Sequence, residues 1–278
     1  MTPDPAHALP AAGIVVLDSV TKLAPAQQGA GIVAASHGGA YAAYLAAAGG
    51  ARAVVLNDAG VGRDEAGIAS LVHGERFGMA VATLSHLSCR IGLGADMVQN
   101  GVVSRVNRIA AAAGCRAGMA CGEAAALLAA VPAPTGNPPP YGEARRIVAL
   151  AGGWRLVLVD SAALVRPEDA GQIVVTGSHG GLVGGRPAMA LQVEARAALF
   201  NDAGIGRDEA GVARLWPLEQ RGIAAAAVSA ETARIGEARS TWEDGVLSRV
   251  NRIAAMLGAR PGMPARELVE RIATMQRR

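Results

Sequence analysis

Short apolar runs, each closed by a polar group, alternate along this chain with stretches of helical character. Gly13–Ser19, Gly31–Ala35, Ala53–Leu56 and Met79–Leu84 read as buried strands of the first half. Leu156–Val159, Gln172–Thr176, Ala197–Phe200 and Ile223–Val228 repeat that series in the second. Helices are predicted over 40–49 and about 186–197, from near Asp64 and Asp208, and over Gly101–Ile109 and Gly245–Ile253. Such alternation calls for parallel sheets covered by helices.

The two series are one unit written twice. Asn57–Gly67 returns 144 residues later as Asn201–Gly211 with ten of eleven positions identical, and Gly101–Ile109 returns as Gly245–Ile253 with one change. The predicted fold class is therefore α/β: two tandem duplicated units with parallel sheets, related by a pseudo-twofold like an ancestral dimer that became fused. The boundaries are a loose arm over 1–11, a first repeat over 12–130, a Pro-rich linker over 131–143 and a second repeat over 144–278.

Composition narrows the class. With 51% hydrophobic and 18% charged residues over 278 positions, the chain has ample material for packed cores. Aromatics are only 3%, so Ala, Val, Leu, Ile and Gly must fill those cores. The formal charge is +3, Lys22 is the only lysine, and the arginines are interleaved with acids. Without a basic run or stacking aromatics, nucleic acid is an unpromising partner. No apolar segment is long enough to span a membrane. Three cysteines without paired spacing, Cys89, Cys115 and Cys121, suit a reducing compartment, and a cytoplasmic protein is expected.

The candidate chemistry follows the strands directly, at the edge where parallel sheets gather ligands. Ser36-His37-Gly38-Gly39 and Ser178-His179-Gly180-Gly181 are read as binding loops, with glycine amides offered to an anion or oxyanion and histidines as acid and base. The alternative for each histidine is a loop cap. Asn57 with Asp58, and Asn201 with Asp202, stand at the next strand ends, suited to substrate binding or general-base work but equally to bracing a tight turn. Ser85 and Ser229 close the fourth strands, and Arg90 and Arg234 follow them with the geometry to capture a carboxylate.

Matched positions differ most where the fourth strand ends. Cys89 faces Ala233, His86 faces Ala230, Leu87 faces Glu231 and Asp96 faces Ser240. Cys89 beside Arg90 is the candidate nucleophile, against the plainer reading of a small buried apolar residue. No Cys-x-x-Cys, phosphate loop, dinucleotide fingerprint or nucleophile elbow occurs. No cofactor is expected, and a divalent metal would have to use His37, His179, Asp58 and Asp202 together.

The resulting expectation is an enzyme acting on a small carboxylate-bearing metabolite in a cleft between the halves, as a hydrolase of a C–N or C–C bond. A cofactor-free isomerase or lyase using opposed His/Asp groups is the first alternative, and a non-catalytic ligand-binding or scaffold protein the second. Homo-oligomerisation is compatible with all three.

Overall fold

The computed structural model describes residues 13–136 and 138–275, so the expected arm over 1–11 lies outside it. The chain forms two compact units. One holds the chain up to Asp58 together with Ile68–Tyr141, and the other holds Ala59–Gly67 and everything from Gly142.

In the first unit the apolar runs become β1 (Ile14–Leu17), β2 (Gly31–His37), β3 (Ala53–Asn57) and β4 (Ala80–Leu84). They pair in consecutive parallel order, and β5 (Val103–Val106) closes the sheet antiparallel to β4. Period-two alternation sends Ile32, Ala34, Val54, Leu56 and Val81 to one face, where α1 (Ala40–Ala48) and α2 (Ser70–Arg76) cover them. Val33, Ala35, Val55, Ala82 and Leu84 face the other layer: α3 (Gly94–Asn100), α4 (Arg108–Ala112) and α5 (Cys121–Ala129). Alanine-rich α1 and α5 approach the sheet closely, which is how a chain so poor in aromatics fills its interior.

The second unit repeats the plan with one strand more. β6 (Arg145–Ala149) pairs antiparallel with β7 (Arg155–Val159), followed by parallel β8 (Ile173–His179), β9 (Ala197–Asn201) and β10 (Ala224–Val228), with antiparallel β11 (Leu247–Val250) at the far edge. α6 (Leu215–Gln220) packs on one face, and α7 (Ala238–Glu243), α8 (Arg252–Met256) and α9 (Ala265–Ala273) on the other. Each half is thus an α/β unit with a mostly parallel sheet, as the repeated pattern predicts. No helix of the described residues is long and apolar enough to cross a membrane.

Three local expectations are corrected. Gly101–Ile109 is not a helix: β-branched Val103 and Val106 lie in strand β5, which pairs antiparallel with β4, and Asn107 then caps α4. Asn107 Oδ1 accepts from Ala110 N–H at 2.9 Å and Val81 N–H at 3.1 Å, so it ties the strand edge to the helix; Asn251 does the same with Ala254 and Ala225. The repeated Val-Asn pair therefore serves the fold.

No α-helix forms over 186–197. Gly184, Gly185 and Pro187 break it into short turns, and two arginines hold the irregular segment. Arg214 donates to the carbonyls of Gly181, Met189 and Ala190, and Arg221 to those of Leu191 and Val193.

The helices do not begin at Asp64 and Asp208 either. Asp64 and Glu65 have φ of 53° and 55°, Asp208 and Glu209 have 51° and 55°, and regular helix starts only at Ser70 and Leu215.

Candidate functional site

The polar clusters do follow the parallel strands, but the hydrogen bonds assign them different work. His37 Nδ1 accepts the Gly39 N–H at 3.1 Å, and His179 Nδ1 accepts the Gly181 N–H at 3.1 Å. The Gly38 N–H donates to the Asn57 carbonyl at 2.7 Å, and the Gly180 N–H to the Asn201 carbonyl at 2.8 Å. The glycine amides expected to receive an anion are thus engaged within the fold. A side chain at Gly180 would place its Cβ 2.5 Å from the Gly211 carbonyl, so close backbone approach explains that glycine. Ser36 and Ser178 accept from the N–H groups of Val20 and Ala162, pinning the turns after β1 and β7.

Burial lowers the His37 pKa from 6.5 to about 4, so the ring is neutral near pH 7. The unfolded chain then binds a proton that the folded chain refuses. The contribution of His37 to stability is level above pH 6.5 and falls as pH drops from there towards 4, by at most about 3 kcal/mol. Denaturant melts of His37→Gln, whose side-chain oxygen can replace the Nδ1 acceptor, should lose most of this slope between pH 6.5 and 4. An unchanged slope would locate the titration elsewhere.

Arg90 and Arg234 meet carboxylates of the protein itself. Arg90 Nη1 lies 3.5 Å from Asp96 Oδ1, and Arg234 Nε lies 2.9 Å from Glu237 Oε1. Both guanidinium groups remain about two-fifths exposed. Ser85 and Ser229 each accept from an N–H of the following turn, of Leu87 and Glu231 respectively.

Cys89 is fully buried, and its Sγ lies 3.6 Å from Asn57 Nδ2. Burial pushes the thiol up to about 11, outweighing the hydrogen bonds of Ser88 and Asn57 that favour the thiolate. This environment keeps the thiol protonated near pH 7, the opposite of what activates a nucleophile. In the second copy Asn201 Nδ2 instead reaches the Ala233 carbonyl at 3.0 Å, and Asn201 Oδ1 accepts from Ala203 N–H.

Asp58 and Asp202 are where the copies part. Asp202 Oδ1 accepts two backbone N–H groups, of Gly204 and Ala230, each at 2.9 Å. Asp58 Oδ1 accepts the backbone N–H of His86 at 2.9 Å and also faces His86 Nδ1 at 2.8 Å. Burial alone would raise the Asp58 pKa, but the two hydrogen bonds and the charge of His86, with a further bond from Ser104, carry it below 3.8. An ionised carboxylate can only accept, so the proton of a neutral His86 sits on Nδ1 and Nε2 presents its lone pair. The Asp58 side chain is 5% exposed and that of His86 21%, so a fixed acid orients a ring that still reaches solvent.

Motif reading leaves His86 aside, and the structure brings it to Asp58. Its signal was the break in the repeat. Around Asp58 the first copy carries Thr83, His86 and Cys89 where the second carries Ala227, Ala230 and Ala233. No protein-family model, curated protein or solved structure matches this chain. Among the described residues no three His, Cys, Asp or Glu side chains cluster as metal ligands do.

The loops after Asp58 and Asp202 are strained. Ala59, Val61, Asp64 and Glu65 all have φ between 49° and 63°, and Ala203, Ile205, Asp208 and Glu209 repeat this between 50° and 64°. Left-handed backbone costs roughly 1–2 kcal/mol at each non-glycine residue and persists only where its surroundings dictate it.

Proposed function

We propose that this protein is an acid–base enzyme acting on a small carboxylate-bearing metabolite, with His86 Nε2 as the base and Asp58 as the residue that orients it. The observation that carries the reading is the 2.8 Å contact between Asp58 Oδ1 and His86 Nδ1, which only the first repeat can make. A carboxylate fixed to Nδ1 sets the tautomer, aims Nε2 and stabilises the imidazolium that forms when a proton is taken. Arg90, four residues on and part-exposed, supplies a cation for the substrate carboxylate.

Between the reaction classes, proton transfer in a cofactor-free isomerase or lyase now has the stronger support. Hydrolysis of a C–N or C–C bond drew its support from free loop amides and a reactive thiol, and the amides are engaged while the thiol is held protonated. Hydrolysis remains the second reading because an aspartate-oriented histidine also activates water. We place the enzyme in the cytoplasm, where three unpaired buried cysteines stay reduced.

Proton abstraction is detectable without knowing the physiological substrate. The protein is incubated in D2O with a panel of small hydroxy, amino, keto and dicarboxylic acids, and loss of C–H signal is followed by NMR. At least one member should exchange, and His86→Ala should slow that exchange by roughly 10²–10⁴-fold. Release of a cleavage product without C–H exchange would select hydrolysis. A panel that neither exchanges nor reacts, or a His86→Ala protein as active as the parent, would sink the acid–base assignment.

A further inference from the structure

The repeated stretch Asn57–Gly67, matched by Asn201–Gly211, takes no part in the acid–base reading beyond its first two residues. Its strained segment Ala59–Gly67 belongs to the second unit, although it follows Asp58 of the first by a single peptide bond. There it lies as a strap along the end of β10. The Arg63 N–H donates to the Ala230 carbonyl at 2.8 Å, and Arg63 Nη1 donates to the Thr232 carbonyl at 2.8 Å and lies 3.2 Å from Asp244 Oδ2. Asp64 Oδ2 in turn faces Arg234 Nη1 at 3.5 Å.

The glycines of the motif are seats for this docking. A Cβ on Gly60 would come within 2.8 Å of Gly204 Cα, and one on Gly62 within 2.8 Å of the Ala230 carbonyl and 3.3 Å of the Ala230 Cβ. Position 230 is 2% exposed, so alanine rather than histidine suits the second copy because the strap lies on it. The matched residues differ accordingly: Ala230 is covered, whereas the His86 side chain is 21% exposed.

We infer that the docked strap positions the Asp58 carboxylate against His86, making Arg63, with Asp244 as its partner, a positioning residue for the Asp58–His86 pair. Two observations support the coupling. The residue directly after Asp58, Ala59, is left-handed at φ 49°, and Gly60, Val61 and Gly62 continue so at 78°, 63° and 66°. A backbone of this kind relaxes unless it is held, and its relaxation would rotate the residue before it. The second copy also displays the grip directly, since the Gly204 N–H of the equivalent segment donates to Asp202 Oδ1 at 2.9 Å.

The catalytic consequence rests on the proposed role of His86; the positioning itself does not, and its test is read without turnover. The His86 backbone N–H donates to Asp58 Oδ1, so its hydrogen-exchange rate reports whether the carboxylate is in place. In the full-length protein, Arg63→Ala should speed exchange at the His86 amide by about tenfold or more, with the Val33–Ala35 amides of β2 unchanged. Arg63→Lys, which keeps a cation opposite Asp244, should recover most of the protection. Asp244→Ala should move the His86 amide in the same direction by a smaller factor, and it decides the matter alone should Arg63→Ala not fold.

Free exchange across Ala59–Gly67 with an unchanged His86 amide would overturn the inference. So would an equal rise at His86 and in β2, which would mean general loosening. If His86 loses protection as expected but His86→Ala leaves C–H exchange intact, the positioning stands and the enzymatic reading falls. The opposite pair of results leaves the base in place and removes the strap from its control.

Discussion

Asp58→Asn is expected to slow turnover by a factor of roughly 10³, while Asp202→Asn leaves it within about twofold. The two aspartates occupy the same place in the repeat and both are buried. An asparagine carbonyl can still accept the backbone N–H groups that meet Asp202 Oδ1, from Gly204 and Ala230, so that change removes a charge bonded to backbone donors. At Asp58 the same oxygen also holds His86 Nδ1, and losing the negative charge removes what stabilises the imidazolium. The stability costs should be similar and small, about 1–2 kcal/mol each, so the contrast in C–H exchange rate isolates the chemistry. Equal losses of activity from both variants would show that the sites act symmetrically, and would remove the case for a single dyad.

The second large effect concerns stability. Arg214→Met should destabilise the second unit by about 3–5 kcal/mol. Arg214 is 5% exposed, yet its contacts are three carbonyls and the Phe200 ring, whose centroid lies 5.2 Å from the guanidinium carbon. Burial lowers its pKa to about 10, which leaves it charged near pH 7. Methionine fills much of the volume but leaves the Gly181, Met189 and Ala190 carbonyls without their donor, and the irregular 182–190 segment without its tether. All three tryptophans, Trp154, Trp216 and Trp242, lie in the second repeat, so their fluorescence in urea reports this unit. The matched position in the first repeat is Ser70, whose buried Oγ has no hydrogen-bond partner among the described residues. Ser70→Ala should be neutral or stabilising by up to about 1 kcal/mol. A destabilisation below 1 kcal/mol for Arg214→Met would mean that the segment holds itself.

These two positions also mark the limit of reading by repeat. Superposing the copies in sequence predicts equal roles for His37 and His179, whose rings both accept a glycine N–H two residues on. That contact is local, and the loop-cap alternative described it. The predicted helix over 186–197 failed because its fate depends on Arg214 and Arg221, which lie 24 to 30 residues beyond the carbonyls they hold in it. Left-handed Asp64 and Glu65 defeated the helix-start signal for a related reason. Acids in a first turn favour a helix only where the backbone adopts one, and here Asp64 and Glu65 are left-handed.

By itself the sequence determined the duplication, the four main apolar strands of each half, their mostly parallel α/β arrangement, and the placing of polar residues at strand ends. These follow from hydrophobic periodicity and short connections, which act over a few residues. Only the tertiary structure decided which polar residues meet. Asp58 and His86 are 28 positions apart and pair because β3 and β4 are neighbours, and their strand ends stand side by side. The antiparallel edge strands and the passage of Ala59–Gly67 into the second unit depend likewise on partners far along the chain. Burial, hydrogen-bond saturation and backbone strain act between such partners, and one-dimensional periodicity carries no record of them.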